Sequence, residues 1–246
     1  MEAVILGCGE AFDERLPNTS ILLRAGATWL LDCGYSVPPQ IWRAVPGADA
    51  IDILYLSHPH ADHYFGLPAL LGRMWEDGRT RPLAILGQRV VLEQARQLVE
   101  LGYRGLAARF AYPIEWRDIS AGKALELAGA TVHFAPTTHS APNLAIRIEQ
   151  ADLAFCYSGD GMFTGASAEL CRSANLVVHE AYAFEPLPIH TDIPRLIEMA
   201  AGQRAQRLAL VHVQRSLRRD PDRIARALAE TGGRVSMPEP LCRIAL

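Results

Sequence analysis

The sequence has no C-x-x-C pair. Its five cysteines, Cys8, Cys33, Cys156, Cys171 and Cys242, are scattered and odd in number. That pattern argues against a disulfide framework and for reduced thiols in a cytoplasmic protein. No apolar run approaches the ~18 residues that a bilayer crossing needs. The chain also enters its first strand at Ala3, leaving no room for a secretory leader. No membrane partner is expected. A basic surplus is missing too: the net charge is −3, whereas proteins that live on nucleic-acid phosphates carry a basic excess or stripe. The densest basic run, Arg215, Arg218 and Arg219, is followed at once by Asp220 and Asp222 and reads as a solvated loop and helix start. The glycine turn Gly7-Cys8-Gly9 is no dinucleotide fingerprint, because Phe12 stands where the third glycine belongs.

What is present is an ordinary globular composition, 50% apolar and 21% charged, and one unusual stretch. The apolar strand Ile53 to Leu56 ends in Ser57, and His58, His60, Asp62 and His63 follow within six positions. A helix comes next, with Leu67, Leu70, Leu71 and Met74 at the 3.6-residue period of a buried stripe. Chemistry at a strand-to-helix handover is the usual placement in layered α/β proteins. Imidazole suits zinc, iron or manganese, and a carboxylate among imidazoles favours a hard, water-binding ion. No thiolate lies in the cluster, so a closed structural zinc site does not fit.

The same style recurs along the chain. Val4 to Leu6, Asn18 to Leu23 and Thr28 to Asp32 read as strands, Pro38 to Val45 as a short helix, and Leu83 to Leu86 as a further strand. Arg89 to Leu101 reads as a helix with Val91, Ala95 and Leu98 inward. Gly102 to Trp116 is less regular and rich in aromatics, which read as packing. Beyond a midpoint near Ser120-Ala121-Gly122, Leu125 to Leu127 and Thr131 to Ala135 form a hairpin. His133 alternates with apolar neighbours and faces outward, binding nothing. Strands at Leu144 to Ile148, Leu153 to Tyr157, Leu176 to Val178 and Leu208 to Val211 follow. Helices are expected at Ala166 to Ser173, from Ile193 to the stop at Gly202, and after Asp220-Pro221, an N-cap with proline at the first helical position. His139, Asp160, Glu180 and His212 each follow a strand, as the first cluster does. That agreement gathers them into one site. His179 reads as structural, and Asp160 is flanked by Gly159 and Gly161, which would let the backbone approach a metal closely.

His-x-His-x-Asp-His after an apolar strand resembles the metallo-β-lactamase fold superfamily. Leu30-Leu31-Asp32-Cys33-Gly34 before it resembles the ribonuclease Z-like branch, as do Thr138-His139-Ser140, Ser158-Gly159-Asp160, His179-Glu180-Ala181, His190 and Leu210-Val211-His212 after it. The resemblance implies a four-layer αβ/βα sandwich with two central mixed sheets, an α/β fold forming one domain over residues 1–246 whose two halves meet near residue 120. It also implies two divalent ions, zinc first, with manganese or iron as alternatives. His58, His60 and His139 would hold one, Asp62, His63 and His212 the other, with Asp160 bridging and a hydroxide shared between the ions. Asp62 would align that water. Asp32 would support a ligating imidazole, or simply cap its strand.

By the same resemblance His190 is the catalytic histidine beside the metals. The family's His-Ser-Thr is here His190-Thr191-Asp192, and Tyr182 stands where the family has threonine. Glu180 orients His190 or satisfies local backbone. The favoured function is a metal-dependent hydrolase acting as a phosphodiesterase on a small anionic substrate, such as a cyclic nucleotide or cyclic sugar phosphate. The basic Gly/Pro-rich arm that captures transfer RNA in the family has no counterpart between His139 and Asp160, so nucleic acid is a partner less favoured. The alternatives are a transfer-RNA 3′-end endonuclease without that arm, a lactone, β-lactam or thioester hydrolase, and, last, a non-enzymatic metal-binding role. A homodimer through Tyr103 to Trp116 is a further expectation.

Overall fold

The chain is described here as a computed structural model, covering residues 1–202 and 205–246. Its first sheet collects β1 (Glu2–Gly7), β2 (Ser20–Ala25), β3 (Ala27–Leu31), β4 (Ile53–Tyr55), β5 (Leu83–Gly87) and β6 (Ile114–Asp118). The second collects β7 (Leu125–Leu127), β8 (Ala130–Pro136), β9 (Leu144–Gln150), β10 (Leu153–Tyr157), β11 (Leu176–Glu180), β12 (Leu208–Val211) and β13 (Val235–Ser236). A last strand, β14 (Cys242–Ala245), returns to pair antiparallel with β1, giving two seven-stranded sheets. Both are mixed: β1 to β3 pair antiparallel and β3 to β6 parallel, while β7 to β10 pair antiparallel and β10 to β13 parallel.

Helices cover the outer faces. On the first sheet lie α1 (Pro38–Ala44), α2 (Ala61–Tyr64), α3 (Leu67–Glu76) and α4 (Arg89–Gly102); the second half of the chain supplies α5 (Gly165–Leu170), α6 (Ile193–Ala201), α7 (Arg215–Arg218) and α8 (Pro221–Ala229). Three apolar clusters fill the layers between. The central one joins the facing sides of both sheets, with Ile5, Trp29, Tyr55, Phe134, Ile146, Phe155 and Val211. The others lie under α1, α3 and α4, and under α5, α6 and α8. Alternation explains the split: in β3, Trp29 and Leu31 face the centre while Leu30 faces the helices. Each such large apolar side chain stabilises the fold by roughly 1.5–3 kcal/mol on burial. The four-layer α/β arrangement with two central mixed sheets is the one the motifs led us to expect.

Some local expectations need correction. The α4 stripe is Val91, Leu92, Ala95 and Val99, with Leu98 only partly buried. Residues 102–116 are less irregular than their composition suggested: a 3₁₀ turn at Ala107–Arg109 leads directly into β6. That edge strand's alternation is blurred because Glu115 and Arg117 pair with each other at 2.6 Å. Phe110 and Tyr112 stack with centroids 5.1 Å apart, and Tyr112 is buried. His133 does face outward, yet it is not without a neighbour, since its Nε2 lies 3.9 Å from Glu149 Oε2 on β9. The strands β13 and β14 had no strong sequence signal, being short and half polar. Asp220 caps α8 by accepting from the Arg223 N–H at 3.1 Å.

Candidate metal centre

Every element that carries a candidate ligand ends at one rim of the two sheets. β4 delivers Ser57 and His58; the turn into α2 delivers His60, Asp62 and His63. His139 follows β8, Asp160 follows β10, and His212 follows β12. Beside a third set of Glu180, His190 and His212, two groups hold the motif ligands, each with ligand atoms within 4.8 Å of one another: His58, His60, His139 and Asp160, and Asp62, His63, Asp160 and His212. The residues that the motifs singled out are brought together, and Asp160 belongs to both groups.

The tautomers can be read from the partners. Ser57 Oγ donates to Asp32 Oδ2 at 2.7 Å, so it accepts from His58 Nδ1 at 3.0 Å and leaves Nε2 as a lone pair. His139 Nδ1 donates to the Ile189 carbonyl at 3.1 Å, which frees its Nε2 in the same way. His63 Nδ1 donates to Asp32 Oδ2 at 2.7 Å, and its buried Nε2 has no hydrogen-bond partner, nor does Asp160 Oδ1. The freed nitrogens of His58 and His139 stand 3.0 and 3.2 Å from His60 Nδ1. His60 Nδ1 carries at most one proton and can serve only one of these two facing lone pairs, so the other repels its neighbours unless a cation lies between them. The residues therefore fit divalent ions, and the imidazole–carboxylate donor set is one that zinc accepts.

Charge divides the two groups. Burial, helped by the neighbouring His63, holds the His58 imidazolium well below its ordinary range, and burial likewise lowers His60 and His139. In the second group burial also opposes protonation, but Asp62, Asp160 and Asp32 overcome it at His63 and carry it well upward. His212 is likewise raised to about 9, chiefly by Asp160 against the opposing effect of burial. Asp62 Oδ2 lies 3.2 Å from both His63 Nε2 and His212 Nε2. Asp160 reaches His63 through Oδ1 at 3.4 Å and His212 through Oδ2 at 3.3 Å. Both carboxyls are buried yet held below the usual carboxylate range by those imidazoles.

Asp32 is more than a cap. It accepts from Ser57 N at 2.8 Å, from Ser57 Oγ, from His63 Nδ1 and from the Tyr157 hydroxyl at 2.7 Å. Such outer partners fix ligand orientation. Sequence reasoning missed Tyr157 and Asn143. The only signal for Tyr157 was a phenol at the end of an otherwise apolar strand. Asn143 donates to the Ser158 carbonyl and to Thr137 Oγ1, both at 2.8 Å, and accepts from Asp160 N at 3.3 Å. Gly159 is required on steric grounds as well: at φ 60° a Cβ there would stand 2.2 Å from Asn143 Oδ1, so the glycine leaves room for the asparagine that accepts from Asp160 N. Gly34 makes room of another kind, since a Cβ would lie 1.9 Å from the Asp62 carbonyl.

His190 sits beside the first group, its ring centroid 5.1 Å from that of His139 and its Nδ1 3.4 Å from Glu180 Oε1. Glu180 is fully buried, which raises its carboxyl, and it accepts from Gly161 N at 3.2 Å and Thr191 N at 2.8 Å. It thus does both things considered for it, satisfying backbone and facing His190. Asp192 caps α6 through the Arg195 N–H at 2.9 Å, a local reason for an acid after Thr191. The Arg215–Arg219 run is occupied internally: Arg215 pairs with Glu10, Arg218 donates to the Cys8 carbonyl at 3.1 Å and Arg219 pairs with Glu14 at 2.6 Å. It ties the loop after β1 to the segment after His212.

A family model, that of the Anti-Pycsar protein Apyc1, matches residues 1–229. The chain belongs to that family. Among curated relatives it is similar to a ribonuclease Z from Mycobacterium sp. (strain KMS), 30% identical over 226 residues, covering 86% of this chain and 76% of the relative. Its fold is similar to that of the metallo-β-lactamase fold protein YhfI from Bacillus subtilis, at a TM-score of 0.80 and 20% identity over 99% of both chains. The short form of human tRNase Z is alike as well, at 0.79 and 21% identity over 100% of this chain and 99% of that one. This Apyc1-family chain is a metal-dependent hydrolase with the metallo-β-lactamase fold, in its ribonuclease Z-like branch. Among the described residues no helix is long and apolar enough to cross a membrane.

Proposed function

We propose that the protein is a dinuclear phosphodiesterase acting on a small or cyclic phosphodiester, with His58, His60 and His139 holding one ion, Asp62, His63 and His212 the other, and Asp160 bridging. The observation that carries this reading is His190, placed at the edge of the ligand cluster and backed by the buried Glu180 carboxyl at 3.4 Å. Bound ions would supply Lewis acidity to the phosphoryl oxygens and lower the pKa of a shared water. The chain's own residues do the rest. Asp62 accepts from and aligns the attacking water. His190 delivers a proton to the leaving oxygen, and Glu180 keeps its imidazole turned for that transfer.

Substrate size is read from the connection between His139 and Asp160. It holds β9 and β10 with a tight turn at Ala151-Asp152 between them, and no projecting arm to grip a folded RNA. A cyclic nucleotide or cyclic sugar phosphate suits this site. The second reading is a ribonuclease, favoured by the name of the mycobacterial relative. The third is opening of a lactone or thioester, favoured by Tyr182, whose ring lies against His190.

The test is a parallel assay of aryl phosphodiesters, cyclic nucleotides, lactones, thioesters and precursor transfer RNA with wild type and His190→Ala. Phosphodiester turnover that falls about 10²–10⁴-fold in the variant, less for aryl leaving groups that need no acid, is the expected result. Carbonyl-ester turnover without phosphodiesterase activity, unaffected by the substitution, would overturn it.

A further inference from the structure

Tyr182 is not among the ligands, yet it is built into the site more firmly than His190. Its N–H donates to the Thr191 carbonyl at 3.2 Å and its own carbonyl accepts from Gln214 N at 3.0 Å. Those partners lie one residue beyond His190 and two beyond His212, so the Tyr182 main chain is clamped between the segments that carry both histidines. Next to it Ala183 pairs with Asp192 in an isolated parallel bridge. The side chain fills the space so defined. Its ring is 4.5 Å from the His190 ring at an interplanar angle of 20°, and 6.0 Å from His212 at 39°.

His190 itself has weak polar restraint. Its contact with Glu180 is 3.4 Å, long for a hydrogen bond, and Nδ1 has no other partner. One such contact allows the imidazole to rock about its χ2 torsion, because terminal torsions of this kind are broad. A face-to-face ring at 4.5 Å removes that freedom. The Tyr182 hydroxyl has no hydrogen-bond partner among the described residues, so the contact belongs to the ring. A threonine there could offer no face.

We propose that Tyr182 is the positioning residue of His190: its ring fixes the imidazole plane, so that the edge remote from Glu180 is presented to the leaving oxygen. This rests on the phosphodiesterase reading above and adds to it the device that orients the acid. Positioning errors of about 1 Å cost up to about 10²-fold in rate, which sets the scale of the effect.

The experiment compares Tyr182→Phe, Tyr182→Ala and Tyr182→Leu in the metal-loaded protein. Kinetics on a cyclic nucleotide and on an aryl phosphodiester are paired with histidine ring-proton NMR, in which a stacked phenol shifts the His190 signals. The Phe variant should keep kcat within about twofold, and the Ala variant should lose about 10- to 100-fold in kcat on the cyclic nucleotide, with a smaller loss on the aryl ester and KM little changed. The Leu variant, which fills the volume without a π face, should follow Ala and guards against simple collapse of the loop. In both, the His190 signals should lose their ring-current shift. Equal losses on the two esters, a Phe variant as impaired as Ala, or His190 signals unmoved by Ala would each overturn the proposal. If wild type turns over no phosphodiester, the functional reading fails by itself. The NMR comparison then decides the positioning role alone, unmoved signals overturning it and moved ones supporting it.

Discussion

The Tyr157 hydroxyl donates to Asp32 Oδ2 at 2.7 Å, across 125 residues of sequence and from one sheet to the other. The same oxygen receives His63 Nδ1. The join between the sheets and the orientation of a ligand are thus one interaction. Tyr157→Phe leaves the ring packed and removes one donor from a buried carboxylate, which should destabilise by about 1–3 kcal/mol. Asp32→Ala should lower metal affinity or activity about 10- to 100-fold, as loss of outer partners does elsewhere. Urea unfolding and metal titration of the two variants check this; an Asp32→Ala protein with unchanged metal affinity would contradict it.

Purified protein should carry about two divalent ions per chain. Because the ions bind the folded chain and not the unfolded one, chelation should lower stability by about 3–4 kcal/mol for each ion removed where free metal stands at 100 to 1,000 times its dissociation constant. Asp160→Ala should abolish activity and reduce ion content, since this carboxylate is shared by both ligand groups. Elemental analysis and thermal melts with and without chelator measure it. Full ion content in Asp160→Ala would refute the bridging assignment.

His179 gives a pH dependence whose sign is fixed by burial. Its ring is fully buried in β11, donates from Nδ1 to the Glu180 carbonyl at 2.7 Å and lies 4.0 Å from Phe163. Burial lowers its pKa from 6.5 to about 4. Between those values the unfolded chain binds a proton that the folded chain does not. The contribution is therefore complete above 6.5 and falls away as pH drops toward 4, by about 2 kcal/mol at pH 5 and about 3 kcal/mol in all. Urea unfolding of chelator-treated wild type and His179→Gln at pH 7 and pH 5 tests it. The wild type should lose more than the variant; identical losses would rule the linkage out.

A homodimer through residues 103–116 draws on a smaller apolar surface than the sequence promised. Phe110, Ile114 and Trp116 pack against the cluster under α4, whereas Tyr103 and Leu101 stay exposed, at 54% and 85%. If this face pairs, Leu101→Glu with Tyr103→Glu should yield monomers with the metal centre intact. Sedimentation velocity at low concentration decides, and a monomeric wild type ends the idea.

Much of this molecule was legible in the chain alone. The strand-to-motif junction at Ser57-His58, the α3 stripe, and the ligand types at strand ends are all local patterns. Local patterns survive because a strand or helix must bury one face whatever else it packs against. The grouping of His58, Asp160 and His212 was an expectation from a family resemblance and from their shared place after strands. Only the tertiary structure could bring them within ligand distance. Three things it alone decided: that Tyr157 and Asn143 steer Asp32 and Asp160, that Gly159 makes room for a side chain, and that Tyr182 lies flat on His190. Each depends on where two segments far apart in sequence come to rest, and hydrogen bonds and ring contacts across such distances leave no period and no spacing in the sequence. The late edge strands β13 and β14 were hidden for a related reason: at two and four residues they are defined by the neighbours they pair with.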